Sequence, residues 1–302
     1  MKHRLLKIVS VVVLTTILSA CDEQPPSQRA QQSGDAALAP GEYTFTTEDG
    51  NRMPYTVAGA GDVTVVLVHC WMCNRTFWSE QLPVLARQYR TIAVDLPGHG
   101  DATAERDNWS VAGFGDDVAG LLESLDLSNV VLVGHSMGGP VSLRTAALTG
   151  DRVRGVVAVD TLHDADFEFS GEQVEAFMAA FESDFVGACG NFVQQMFPEE
   201  GTEAIMNRVR DTSCSRQRAE AGLALMKDFG NIDMPGWFSE AGVPIRAVNA
   251  ATPNPTEVEN NRKYADFEVE LMENVGHYLH MTRPEQFNPL LLDAIEEVLN
   301  AT

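Results

Sequence analysis

The stretch Gly134-His-Ser-Met-Gly138 sets a serine two residues from a glycine on each side. Between a strand and a helix, such a G-x-S-x-G turn is strained and crowded. Small residues let it lift the serine hydroxyl clear of the backbone. The chemistry open to Ser136 is nucleophilic attack, provided a base can take its proton. Gly-His-Tyr-Leu-His, residues 276–280, offers His277 and His280, and His99 and His135 are more distant competitors. A second stretch, Val-Leu-Val-His-Cys-Trp-Met-Cys-Asn at 66–74, puts Cys70 and Cys73 in a C-x-x-C pair beside His69. A haem attachment would need the histidine after the pair, and a zinc site would need a second pair at suitable spacing. Two readings stay open: small packing residues, or a local disulfide that stiffens the loop.

The elements around these residues alternate. Glu42 to Gly59 predicts a β-hairpin, two alternating runs about a Glu-Asp-Gly-Asn turn. Thr64–His69, Arg90–Asp95, Asn129–Gly134 and Val153–Asp160 read as strands, and several are near-continuous apolar runs. That pattern suits strands buried on both faces of a parallel sheet. Helical spacing fills the gaps, in Thr76–Gln88, Ser110–Leu125 and Ser136–Gly150. From 164 to about 235 the strand pattern stops and helical spacing takes over. It resumes with Pro244–Ala250, a short helical stretch near Val258, the strand Asp266–Glu273 and a closing helix, Pro284–Asn300. The expected fold class is α/β, with a mostly parallel central sheet flanked by helices. His277 follows the last strand. Loops at the carboxyl ends of parallel strands share one edge, so His277 can meet Ser136.

With VLVHCWMCNRTFW, DLPGHG, GHSMGG and NVGHYLHMTRPEQFN on the page, the chain resembles an α/β-hydrolase with a helical cap, over roughly residues 42–300. The resemblance implies a triad acid, usually in a turn after the strand that here reads PIRAVNA. That turn is NAATPNPTE and holds no Asp, and Glu257 is the nearest carboxylate. A second family position follows the strand after the elbow helix. Here it is Asp160, with Asp164 or a missing acid as further alternatives. The resemblance also implies an oxyanion hole from the backbone N–H groups of Met137 and Trp71, with Cys70 where the family usually has glycine. The implied activity is serine hydrolysis of a carboxylic ester, thioester or lactone through an acyl-enzyme, with no cofactor and no metal. Haloalkane and epoxide hydrolysis use Asp at the elbow and are not expected. The partners are a small-molecule acyl substrate and a lipid bilayer. The alternative is a non-catalytic lipoprotein that binds a ligand or partner on the same scaffold. Phe177, Met178, Phe181, Phe185, Phe192, Met196 and Phe197 suggest an apolar pocket, or packing of the cap on the core.

The N-terminus reads as a targeting segment. Lys2, Arg4 and Lys7 precede an uncharged run of 13 residues, too short for a spanning helix and suited to a secretory signal. It ends in Leu-Ser-Ala-Cys, which resembles a bacterial lipoprotein signal with lipidation at Cys21. The expected organisation is a signal peptide (1–20), a flexible tether (21–41), the first part of the core (42–163), a helical cap (164–235) and the second part of the core (236–302). The tether composition gives a coil spanning roughly 25 Å. The expected location is the cell envelope, lipid-anchored on the periplasmic side, and the sequence does not choose between inner and outer membrane. The net charge of −22 argues against nucleic acid as a partner. Without Cys21, four cysteines remain. Cys189 and Cys214 both fall in the cap region, where a stapling bridge or free buried thiols are both consistent with the sequence.

Overall fold

The computed structural model describes residues 38–301, apart from 168–170 and 216–218. The expected signal peptide, Cys21 and all but the end of the tether lie outside the described residues.

Eight strands form one sheet in the order β1-β2-β4-β3-β5-β6-β7-β8. They are β1 (Gly41–Thr46), β2 (Arg52–Ala58), β3 (Thr64–Val68), β4 (Arg90–Val94), β5 (Val130–His135), β6 (Val153–Val159), β7 (Ile245–Ala250) and β8 (Phe267–Met272). β1 and β2 form the hairpin, β2 pairs antiparallel with β4, and every other pairing is parallel. This is the α/β-hydrolase architecture, a mostly parallel sheet with helices on both faces.

The apolar strands earn their composition from two-sided burial. In β3, Val66 and Val68 join one core and Val65 and Leu67 the other. In β5, Val130 and Leu132 oppose Val131 and Val133 in the same way. The stretch predicted as one helix after β3 is broken. It forms a 3₁₀ turn (Arg75–Trp78) and a single turn, α1 (Leu82–Leu85). Pro83 at its start, with no N–H and a fixed φ, suits a first turn and cannot serve a helix interior. On one face lie α2 (Val111–Ser124), capped by the Ser110 hydroxyl, and α3 (Gly138–Thr149).

Between β6 and β7 the chain makes α4 (Gly171–Ser183), α5 (Phe185–Gln195), α6 (Glu203–Ser213), α7 (Ala219–Phe229) and α8 (Met234–Ala241). A disulfide joins Cys189 of α5 to Cys214, just past α6. α9 (Val258–Asn261) and α10 (Leu279–Thr282) are single turns. α11 (Pro284–Asn300) covers the other face with Phe287, Leu291, Ile295 and Val298.

The turn from β5 into α3 is held by close backbone approach. A Cβ on Gly134 would lie 2.1 Å from the Gly138 carbonyl oxygen, and one on Gly138 would lie 2.4 Å from the Val68 oxygen. Neither contact has a flexible end that can yield. Gly138→Ala is therefore expected to cost about 3 kcal/mol, read as a lowered midpoint in thermal or urea unfolding.

Candidate active site

Ser136 sits at this turn with φ at +54°, in the left-handed region that costs a non-glycine residue energy. Its N–H donates to Val159 O at 3.1 Å, which ties the elbow to the neighbouring strand. Thr161 Oγ1 donates to Ser136 O at 2.8 Å from the other side. The turn is thus fastened at both ends and cannot relax.

The β6 strand ends one residue short of Asp160, which is 7% exposed and has φ at +44°. Its Oδ1 accepts from Ala250 N–H at 2.8 Å, and its Oδ2 lies 2.6 Å from His277 Nδ1. A carboxylate can only accept, so Nδ1–H is the donor in this pair, and in the neutral ring that tautomer leaves the lone pair on Nε2. Asn249, fully buried at the end of β7, clamps the Asp160 turn. Its Oδ1 accepts from Thr161 N–H at 3.2 Å, and its Nδ2 donates to Thr161 O at 3.1 Å. The strand end where the family usually carries its acid here supports the turn of Asp160 instead.

The other carboxylates are elsewhere. Glu257 is exposed at the start of α9, and its backbone N–H donates to His163 O. Asp164 Oδ1 accepts from Asp166 N–H and from Asn260 Nδ2, each at 2.9 Å. Neither side chain is brought to His277.

His277 is held by the inserted helices. Its N–H donates to Met196 O at 3.1 Å, and Gly276 N–H donates to Glu199 Oε1 at 2.6 Å. From below, His135 Nε2–H donates to His277 O at 2.8 Å. The competing histidines thus have other places. His99 is buried against His69 and Phe114. His135 and His280 are buried behind His277, with ring centroids 4.5 Å apart. Burial holds His135 well below the usual histidine range and His280 down to about 3.

These two rings are neutral when folded but titrate near 6.5 when unfolded. Between pH 6.5 and about 3 the unfolded chain binds more protons, so stability falls as pH drops through that window. Both His280 ring nitrogens lack a partner among the described residues. His280→Phe should remove about 1.4 kcal/mol per pH unit from this acid slope, measured by urea unfolding at pH 6.5 and 4.5.

The C-x-x-C pair forms a disulfide, Cys70–Cys73, around a turn in which Cys73 N–H donates to Cys70 O at 3.1 Å. The left-handed residue is Met72, at φ +57°, so Cys70 in place of glycine is not strained. The Trp71 indole N–H donates to Gly222 O at 3.1 Å in α7. Its ring meets Phe181, Phe185 and Phe192 at 6.1–6.3 Å. Among the described residues, the backbone amides of Trp71 and Met137 donate to no protein acceptor. Tyr278, which sequence reasoning passed over, is buried with its hydroxyl 3.8 Å from both disulfide sulfurs. Burial pushes its phenol above the usual range.

Ser136, His277, Trp71 and Cys70 line one cavity of about 490 Å³. Of the aromatic and methionine stripe, Phe177, Met178, Phe192 and Met196 face it. Phe181 and Phe185 pack on Trp71 instead, and Phe197 stacks on Tyr278 at 5.0 Å. Both readings of the stripe therefore hold, for different residues.

Comparison with known proteins gives the same frame. A relative in Pseudomonas putida, the dihydrolipoyllysine-residue acetyltransferase component of an acetoin cleaving system, is 34% identical over 270 residues, covering 86% of this chain and 71% of that protein. Four further relatives, from mycobacteria and Cupriavidus necator, are matched over only 32–41% of their own length. The fold is similar to a thermophilic esterase from Thermogutta terrifontis (TM-score 0.72, 23% identity, 86% of this chain and all of that one). It is equally similar to a bromoperoxidase from Bacillus anthracis (TM-score 0.73, 21% identity, 84% of this chain and all of that one). The family profile runs from β3 into α11, over residues 65–290, and the chain belongs to the Alpha/beta hydrolase family.

Proposed function

We propose that this protein is a serine hydrolase of carboxylic esters or related acyl compounds, acting through an acyl-enzyme. The observation that carries the reading is the 2.6 Å contact of Asp160 with His277, in an apolar cavity that Ser136 also lines. In this reading Ser136 Oγ attacks the acyl carbon while His277 Nε2 takes its proton. Asp160 fixes the imidazole tautomer and stabilises the imidazolium that forms. The idle amides of Trp71 and Met137 receive the negative charge on the acyl oxygen, an effect worth about 10²–10³ in rate per donor. The alkoxide or thiolate leaves with the proton from His277. Water then enters and gives a proton to His277 as its oxygen attacks the acyl carbon, and Ser136 Oγ leaves with that proton as the acid is released. A serine at the elbow directs attack to a carbonyl carbon, which favours esters, thioesters and lactones over epoxides.

Residues 22–302 should hydrolyse p-nitrophenyl butyrate and be labelled at Ser136 by a fluorophosphonate, mapped by mass spectrometry. Absence of both turnover and label would reduce the protein to a binding scaffold. We also propose a lipid anchor at Cys21, supported by the basic start, the apolar run and Leu-Ser-Ala-Cys. Cys21→Ala in the full chain should move the protein out of the membrane fraction and remove the lipid mass from its N-terminal peptide.

A further inference from the structure

The loop that carries His277 runs from Gly276 to Thr282, the last residue of α10. One atom ties both of its ends. Glu199 Oε1 accepts from Gly276 N–H at 2.6 Å and from Thr282 Oγ1 at 3.1 Å. Glu199 lies between α5 and α6, so this staple reaches the loop from the inserted segment. A Cβ on Gly276 would lie 2.3 Å from Met196 O and 2.4 Å from Pro198 Cδ, so Gly276 is seated against residues 196–199. His277 N–H is taken by Met196 O, and His277 O accepts from His135. The backbone is thus held on each side of His277, while Asp160 holds its ring. Glycine has the freest backbone of any residue, so a ring carried next to one is well placed only where that freedom is removed.

Fastening the inserted segment does not by itself call for a glutamate. Glu199 Oε2 is buried and has no partner among the described residues. Withdrawing such an oxygen from water unpaired lowers stability. An apolar side chain of similar size would join the two parts without that loss. It could not accept from two donors at once, and those two donors bracket His277.

Building on the serine-hydrolase reading, we propose that Glu199 is a positioning residue for the reaction: by stapling Gly276 to Thr282 it fixes the His277 imidazole where it serves Ser136. Glu199 is not among the described lining of the cavity and acts only through the backbone of the loop. Misplacing a reacting group by about 1 Å costs about 10²-fold in rate. The staple therefore bears on kcat and leaves the binding of substrate to the cavity unchanged.

The test compares kcat and KM for p-nitrophenyl butyrate in wild type, Glu199→Ala, Glu199→Leu, Glu199→Gln and Asp228→Ala, with thermal midpoints. Glu199→Ala and Glu199→Leu should lose about 10–100-fold in kcat, with KM within about twofold. Glu199→Leu fills the space and so guards against a merely collapsed loop. Glu199→Gln keeps an acceptor oxygen for both donors and should stay within about threefold of wild type in kcat. Asp228 in α7 accepts from Val111 N–H at 2.7 Å, a fastening of the inserted helices that does not involve the His277 loop. Asp228→Ala should therefore lower the midpoint and leave kcat within about threefold. Wild-type rates in Glu199→Ala and Glu199→Leu would overturn the assignment while the hydrolase reading stands. So would an equal loss in Glu199→Gln or in Asp228→Ala. If wild type neither cleaves the ester nor takes a fluorophosphonate label, the hydrolase reading fails. The ring ¹⁵N resonances of His277, assigned by their absence in His277→Asn, then decide the positioning. One set in wild type, split or broadened in Glu199→Ala and single again in Glu199→Gln, upholds it. An unchanged single set in Glu199→Ala refutes it.

Discussion

Asp160→Asn is expected to lower kcat for p-nitrophenyl butyrate by about 10⁴ while leaving the fold intact. The amide keeps the shape of the side chain, and its oxygen can still accept from Ala250 N–H at the 2.8 Å position. What it loses is an acceptor-only group 2.6 Å from His277 Nδ1. An amide nitrogen placed there favours the wrong imidazole tautomer, with the proton on Nε2 where the base must accept. Glu257→Gln is the control. Glu257 is exposed and takes no contact with His277, so this variant should stay within about twofold of wild type. Equal rates for the two variants would remove Asp160 from the mechanism, and a large loss in Glu257→Gln would point to a rearranged loop.

Ser136→Ala should cost about 10⁶ in kcat and abolish fluorophosphonate labelling. It should barely change the unfolding midpoint. The strained φ of +54° belongs to the turn and is shared by both side chains. The Ser136 hydroxyl makes no hydrogen bond within the described residues that its removal would break. Residual turnover of 10³–10⁴ over water should persist from the two amides and the cavity. A variant that lost stability along with activity would show that the serine supports the elbow, and would weaken its role as nucleophile.

Different parts of this arrangement were readable to different depths. The sheet could be read because β3, β5 and β6 are buried on both faces and so are almost uniformly apolar. The elbow could be read because backbone contact at Gly134 and Gly138 leaves no other residue type a place. The loop of His277 followed from the rule that parallel strands deliver their carboxyl-end loops to one edge. The place of Asp160 was harder to read. An Asp at a strand end is common, and Asp160 becomes distinctive only through Asn249, which lies 89 positions away and clamps its turn. The C-x-x-C pair read equally as packing or bridge, since the choice rests on where Met72 places the second cysteine.

The segment after α5 meets the His277 loop at few points: Met196 O accepts from His277 N–H, Glu199 Oε1 accepts from Gly276 N–H, and Phe197 stacks on Tyr278. That fastening rests on residues 196–199 and does not use the cavity-facing side chains Phe177, Met178 and Phe192. Substitutions that reshape the pocket can therefore accumulate without dislodging the histidine. Descendants of this protein can change diet while keeping the same teeth, and grafting residues 171–229 from a relative should transfer preference if the 196–199 attachment is kept.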